Sequence, residues 1–285
     1  MQSTIDLNAH LAEFKKNGFT VFPQFYSPDL IKEWRAKFDE MQQDGIASSR
    51  HASWWYADMC EHAPTLMLPA VAHPVMLDFA EMVLGPFVQL DNLTLAGFPS
   101  TPREEVKGIS GWHRDRWGQV PPSGDYLRPN AINAISYLQD LTDEFGPLRV
   151  IPGSHRKPIT LRPEERTQPY AGEQVIHMKA GDVVVIHNAL LHSGTPNTAG
   201  HTRYFFSVYY NLTWLKHTDN HSGPNIQRLI QEARERNDHR QLRLFGVDDN
   251  LQPRANSGFV EADEPRWAEW AAADKAAVKV EVEAS

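Results

Sequence analysis

Gly111-Trp112-His113-Arg114-Asp115 carries an imidazole and a carboxylate two residues apart. On an extended strand successive side chains alternate faces, so His113 and Asp115 would point the same way. One distant histidine would complete a face of two imidazoles and one carboxylate. That donor set suits non-haem Fe(II) with coordination positions left open, and so the activation of dioxygen. Two histidines compete for the third place. His187 ends the apolar run Asp182-Val183-Val184-Val185-Ile186-His187, and His192 opens the turn-rich His192-Ser193-Gly194-Thr195-Pro196-Asn197. His192 ranks first by its spacing to Arg203, which enters the apolar stretch Arg203-Tyr204-Phe205-Phe206-Ser207-Val208. A buried guanidinium there needs an anionic partner, and its planar fork matches a carboxylate at two points. The alternative is an arginine at a sheet edge, lying over aromatic rings. Taken alone, His-x-Asp is a weak signal. The chain has 13 histidines and 36 acidic residues, so one such pair arises easily by chance.

The elements that must position these residues change character along the chain. Leu7, Leu11 and Phe14 have helical spacing and stop at Gly18, a C-terminal cap. Phe19 to Pro23 reads as a short strand. Ser27-Pro28-Asp29 starts a helix whose apolar stripe is Leu30, Ile31, Trp34, Phe38 and Met41. A third helix runs from near Pro74 to just before Gly85. From Phe87 onward the period becomes that of strands: Val88 to Gly97, Ala131 to Gln139, Leu148 to Ile151, Gln174 to Met178, Val183 to His187 and Arg203 to Leu212. Phe145-Gly146-Pro147, Pro152-Gly153-Ser154 and Ala180-Gly181-Asp182 are the turns between them. Many short strands with Gly and Pro punctuation predict a sandwich or jelly roll, mainly β, with helices flanking it. Trp117 to Pro129 is a long loop of the kind that often carries function. Pro224 to Arg236 is helical, Trp267 and Trp270 anchor a last turn, and Ala272 to Ser285 is expected to be loose. No linker divides the chain. One domain over 1–285 is expected, with a helical part at about 1–86, the β core at about 87–215 and a helical extension at about 216–285.

Composition removes other function classes. The net charge is −8 with no basic run, which disfavours nucleic acid and anionic membranes as partners. No apolar run reaches the length of a membrane span. The single cysteine, Cys60, permits no internal disulfide and reads as a small buried hydrophobe. With no secretion-like start, a reducing cytoplasmic setting is the expectation. Oligomeric state is not legible.

Several pieces in order carry a resemblance. His113-Arg114-Asp115, the run Phe145-Gly146-Pro147-Leu148-Arg149-Val150-Ile151-Pro152-Gly153-Ser154-His155, and His192 to Asn197 followed by Arg203 resemble the phytanoyl-CoA dioxygenase-like family of Fe(II)/2-oxoglutarate oxygenases. Lys16-Asn17-Gly18-Phe19-Thr20-Val21 resembles that family's opening helix-to-strand step, and the likeness spans about residues 10 to 215. The resemblance implies a double-stranded β-helix, a cupin-like jelly-roll barrel with the metal inside its mouth. It implies Fe(II) held by His113, Asp115 and His192, with O2 and 2-oxoglutarate as cosubstrates. Arg203 would grip the distal carboxylate of 2-oxoglutarate, with a hydroxyl from Thr195 or Ser193 added. Asn133, Asn92 and Trp117 would line the cosubstrate pocket, and Trp54, Trp55 and Tyr56 would cover the mouth. His155 would be a turn residue of the family run. The implied activity is hydroxylation of a C–H bond of a small organic metabolite, with 2-oxoglutarate converted to succinate and CO2. Asp115 disfavours halogenation, which in related halogenases needs a small residue at that place. Desaturation, epoxidation, cyclisation, a zinc enzyme on the same ligands and a non-catalytic metal-binding jelly roll remain as alternatives.

Overall fold

The computed structural model describes residues 5–48, 54–255 and 262–279. In chain order its elements are α1 (Leu7–Asn17), β1 (Phe19–Phe22), α2 (Pro28–Gln43), β2 (Trp54–Tyr56), α3 (Met59–His62), α4 (Pro64–Val71), α5 (Pro74–Leu84) and β3 (Val88–Phe98). There follow β4 (Ala131–Tyr137), β5 (Leu148–Val150), β6 (Gln174–Ile176), β7 (Val183–His187), β8 (His192–Gly194) and β9 (Arg203–Leu212). The last helices among the described residues are α6 (Pro224–Glu235), α7 (His239–Leu244), α8 (Leu251–Ala255) and α9 (Asp263–Ala277). The residues form two compact units, 1–57 with 94–208 and 58–93 with 209–285.

The first unit carries two antiparallel sheets. One has the strand order β1-β7-β4-β9-β3-β2 and the other β6-β5-β8. Their register follows from alternation: β7 sets Ile186 opposite both Phe19 of β1 and Asn133 of β4. Ile135, Tyr137, Val184 and Ile186 of the large sheet then meet Leu148, Val150 and Ile176 of the small one in a shared apolar cluster. Each such buried side chain contributes about 1.5–3 kcal/mol. The outer face of the large sheet is covered by α2. Ser27 caps this helix at the Leu30 N–H, Pro28 fills its first position, and Trp34 stacks on Phe206 with ring centroids 3.9 Å apart. Helix α1 ends at Gly18, whose φ of +86° is left-handed and whose N–H bonds the Phe14 carbonyl. A side chain at Gly18 would lie 2.6 Å from His155 Nδ1, so the family run packs directly on this cap.

The second unit is largely helical. Arg243, fully buried, pairs with Asp248 and Asp274, and Arg254 also pairs with Asp274. These ion pairs explain a correction to the sequence reading: residues from Ala272 are not loose but continue α9 to Ala277, because Asp274 anchors them. Residues 280–285 lie outside the described ones. The short α3, α4 and β2 were not legible in the sequence, and Asn92, expected at the cosubstrate pocket, bonds Asp219 in this unit. Among the described residues no single helix is long and apolar enough to cross a membrane. The bent pair α4–α5 would be by length and composition, and its Met67, Met76 and Phe79 are buried.

Candidate metal centre

The His113 segment is extended but belongs to no strand. Instead it makes one antiparallel bridge: the His113 N–H bonds the His192 carbonyl and the His192 N–H bonds the His113 carbonyl, each at 3.0 Å. Two further ties flank the bridge, from Ser110 N–H to Gly194 O and from Asp115 N–H to Asn188 O, both 2.9 Å. The backbone thereby brings together residues 79 positions apart. The candidate ligand atoms of His113, Asp115 and His192 all lie within 4.8 Å of one another. His192 Nε2 is 3.8 Å from Asp115 Oδ1, and the two imidazole centroids are 4.2 Å apart. His192 is buried, Asp115 half-buried and His113 exposed, so the face opens toward solvent on one side.

Local carbonyls set the tautomers. His113 Nδ1 faces the Gly111 carbonyl at 3.0 Å and His192 Nδ1 the Leu190 carbonyl at 3.1 Å. A carbonyl only accepts, so each Nδ1 carries the proton and each Nε2 keeps its lone pair for a metal. Burial pushes the His192 pKa down against the upward pull of Asp115, with His113 lowering it further. A neutral imidazole is the form that ligates.

Asp115 is itself held. Asn133 on β4 donates Nδ2–H to Asp115 Oδ2 at 3.2 Å, and Ser207 on β9 donates to Asn133 Oδ1 at 2.5 Å. Asn133 thus steadies the carboxylate rather than standing free in a cosubstrate pocket. The donor set, two imidazole nitrogens and one braced carboxylate oxygen on one face, fits Fe(II) with further positions open.

Arg203 sits on β9, an interior strand, and is 5 % exposed. Its Nη1 donates to the carbonyls of Phe145 (3.0 Å), Gly146 (2.5 Å) and Thr195 (2.7 Å). Gly146 makes this approach feasible: its φ is +77°, and a Cβ there would come 2.7 Å from Arg203 Nη1. The guanidinium lies 4.8 Å from the Phe98 ring centroid, so the aromatic contact weighed from sequence exists, but in the interior and not at an edge. Arg203 Nε is buried with no hydrogen-bond partner among the described residues. An unserved guanidinium edge in the interior is the feature expected of a carboxylate site.

Other sequence candidates are placed differently. Ser193 Oγ accepts from Gly111 N–H at 3.1 Å and donates to the Gly194 carbonyl, so it ties the His113 segment to β8. Thr195 Oγ1 accepts from Arg149 Nε at 2.8 Å, and Arg149 is paired with Glu173. Trp117 has left-handed backbone (φ +64°) and is 40 % exposed. Trp112 donates to the Gln168 carbonyl and packs with Ile109, Ile151 and Leu191. Trp55 packs on Phe98 and Phe205, Tyr56 on Phe38, and Trp54 is exposed. His187, the rival ligand, is turned away: its Nε2 donates to Leu127 O and its Nδ1 accepts from Ala189 N–H. His155 is fully buried and donates from Nε2 to the Lys15 carbonyl. Ser207, Arg149 and Tyr137 escaped the sequence reading. Strand parity could have found two of them, because Ser207 shares a face with Arg203 and Tyr137 shares one with Asn133.

The sequence matches the family model described as Phytanoyl-CoA dioxygenase (PhyH) over residues 14–205, more than half of the chain. The chain belongs to the PhyH family. Among its relatives is the L-proline trans-4-hydroxylase of Streptomyces griseoviridis, 28% identical over 232 residues, which are 70% of this chain and 84% of that protein. Another is the iron/alpha-ketoglutarate-dependent dioxygenase okaE of Penicillium ochrochloron, 23% identical over 152 residues, 51% of this chain and 46% of that one. Of solved structures, HygX from Streptomyces hygroscopicus, with nickel and 2-oxoglutarate bound, superposes with a TM-score of 0.60 at 17% identity, covering 73% of this chain and 88% of that chain. The alpha-ketoglutarate-dependent epimerase SnoN from nogalamycin biosynthesis superposes with a TM-score of 0.57 at 20% identity, covering 73% and 81%. At these identities the structures report on the fold. This PhyH-family chain is an Fe(II)/2-oxoglutarate-dependent oxygenase that uses O2.

Proposed function

We propose that this oxygenase is a hydroxylase of a small organic metabolite, in which R–H, 2-oxoglutarate and O2 become R–OH, succinate and CO2. The observation that carries the reading is the convergence of His113, Asp115 and His192 on one face, together with a buried guanidinium whose Nε lacks a partner. His113 and His192 would hold iron through Nε2, and Asp115 would supply the anionic oxygen. Bound there, ferrous iron with 2-oxoglutarate and O2 supplies the oxidising power for C–H oxygenation. The residues provide the geometry. The Gly111 and Leu190 carbonyls hold each imidazole in the ligating tautomer, and Asn133 orients the carboxylate. Arg203, locked by three carbonyls, offers its free edge to the distal carboxylate of 2-oxoglutarate. The apolar cluster between the sheets keeps water from that end.

In this reading the two sheets are the walls of a jelly-roll barrel, the 285 residues act as one oxygenase domain, and the first unit supplies every proposed ligand. Hydroxylation is favoured by the likeness to a proline hydroxylase. A different oxidative outcome has its own support, because SnoN and the alpha-ketoglutarate-dependent carbocyclase SnoK share the fold. Incubation of the Fe(II)-loaded enzyme with candidate metabolites, 2-oxoglutarate and isotopically labelled O2 tests the proposal. Hydroxylation requires a product that has gained one labelled oxygen, with succinate formed in equal amount. A product that has lost two hydrogens, or has inverted or cyclised without gaining oxygen, would replace hydroxylase by the second reading.

A further inference from the structure

Arg114 stands between His113 and Asp115, and the proposed chemistry gives it no part. An extended backbone turns its side chain away from the face that His113 and Asp115 share. There the half-buried guanidinium meets backbone carbonyls. Nε donates to Ala189 O at 2.8 Å and Nη2 to Ser154 O at 3.0 Å, with Lys157 O further off at 3.5 Å.

The backbone explains why a side chain is needed here. His113 pairs with His192, and the Asp115 N–H bonds Asn188 O, so Arg114 alone faces three residues, Ala189, Leu190 and Leu191. No regular ladder serves three residues with one, and the longer side bulges. Each polar group of the bulge is met from elsewhere. Ala189 N–H donates to His187 Nδ1 at 3.0 Å, Leu190 N–H to His187 O at 2.8 Å and Leu191 N–H to Ser154 Oγ at 2.8 Å. Leu191 O accepts from Ile151 N–H at 2.9 Å, and Leu190 O faces His192 Nδ1 at 3.1 Å. The remaining carbonyl, Ala189 O, is the one that Arg114 takes.

The Ala189 carbonyl and the Leu190 N–H belong to one planar peptide unit. Arg114 holds its oxygen and His187 its N–H, so the plane is fixed at both ends. The next carbonyl along, Leu190 O, therefore stays aimed at His192 Nδ1, which keeps the proton there and leaves Nε2 for a metal. The same guanidinium reaches Ser154, whose hydroxyl holds Leu191. One side chain thus ties the segment bearing His113 and Asp115 to the bulge that orients His192.

We infer that Arg114 is a positioning residue, a two-pronged brace that fixes the 189–191 bulge and, through Leu190 O, the ligating tautomer of His192. The inference rests on the reading of His113, Asp115 and His192 as the iron ligands. Loss of a group that orients a metal ligand weakens metal binding about 10- to 100-fold. Arg114 acts one peptide further out than such a group, so the low end, about tenfold, is expected.

The test compares the wild type with Arg114→Met, Arg114→Lys and Arg156→Met under nitrogen. Fe(II) affinity is measured by calorimetry. The His192 tautomer in the metal-free protein is read from ring-nitrogen chemical shifts of isotope-labelled histidine, at a pH where imidazoles are neutral. Arg156→Met is the control, because Arg156 Nε donates to Gly124 O at 3.1 Å, a tie of the same kind outside the bulge. Arg114→Met keeps the stem and removes the donors. It is expected to weaken Fe(II) about tenfold and to mix the two tautomers of His192. Arg114→Lys keeps the charge but reaches one carbonyl at a time, and is expected to fall between. Arg156→Met is expected to change neither readout. A lower thermal midpoint in Arg114→Met, with wild-type affinity and tautomer, would make Arg114 a stabiliser only and overturn the inference. Full wild-type behaviour in Arg114→Lys would also overturn it, and that variant carries the test should Arg114→Met not fold. Unchanged Fe(II) affinity in His192→Ala would instead remove the metal face, and the inference with it.

Discussion

Asn133 Nδ2 donates to Asp115 Oδ2 across 3.2 Å, and the other carboxylate oxygen, Oδ1, is the one 3.8 Å from His192 Nε2. The amide therefore decides which oxygen is presented to the metal face. The carboxylate, which only accepts, fixes the amide in turn with Nδ2 toward Asp115, and the amide oxygen accepts from the Ser207 hydroxyl.

Replacing Asn133 with leucine keeps the volume and removes the donor. Fe(II) affinity is expected to fall 10- to 100-fold, the usual cost of losing a group that orients a metal ligand. Titration with Fe(II) under nitrogen, alongside circular dichroism to verify folding, measures it. An unchanged affinity would mean that Asp115 orients itself.

Asp115→Ala should abolish formation of succinate from 2-oxoglutarate and leave the thermal midpoint close to that of the wild type. The side chain is half-buried, and its hydrogen-bond donor, Asn133, keeps Ser207. Parallel succinate and calorimetric measurements check both halves.

Gly146→Ala is expected to destabilise the protein by about 1–3 kcal/mol and to weaken 2-oxoglutarate binding. Its left-handed φ of +77° strains any L side chain, and the added methyl would displace Arg203 Nη1 or the Thr195 carbonyl that holds it. Chemical denaturation gives the first effect and cosubstrate titration the second.

Acid should unfold the protein through two histidines outside the metal face. Burial lowers the His155 pKa to about 4 and that of His187 to about 3. Well above pH 6.5 both are neutral in the folded and unfolded chain and have no effect. As pH falls below 6.5 the unfolded chain takes up protons that the native one refuses. Stability therefore drops, by up to about 1.4 kcal/mol per pH unit for each imidazole, until the native pKa values are reached. Denaturation midpoints between pH 7 and 4 should fall less steeply for His155→Gln than for the wild type.

Much of this is legible in the sequence. The cap Ser27-Pro28, the apolar run Val183 to His187, the glycine turns and the kinds of residue at 113, 115, 192 and 203 are local properties of the chain, and local rules read them. His192 against His187 was a matter of spacing; the structure brings His192 to the pair and occupies both ring nitrogens of His187 elsewhere. The spacing of His113 and Asp115 reads as strand, yet the segment pairs through a single bridge. The segment from His192 looked like loop because three residues are too few to show a period.

What the sequence determined by itself was the inventory and its order: two imidazoles, a carboxylate and an arginine. Tertiary structure alone decided how each is held, namely which oxygen of Asp115 is tied, which nitrogen of each imidazole is free, and which edge of Arg203 is spare. Those outcomes depend on hydrogen bonds between groups far apart in the chain, Asn133 with Ser207 and Arg203 with Gly146, and no local pattern encodes a partner that arrives only on folding.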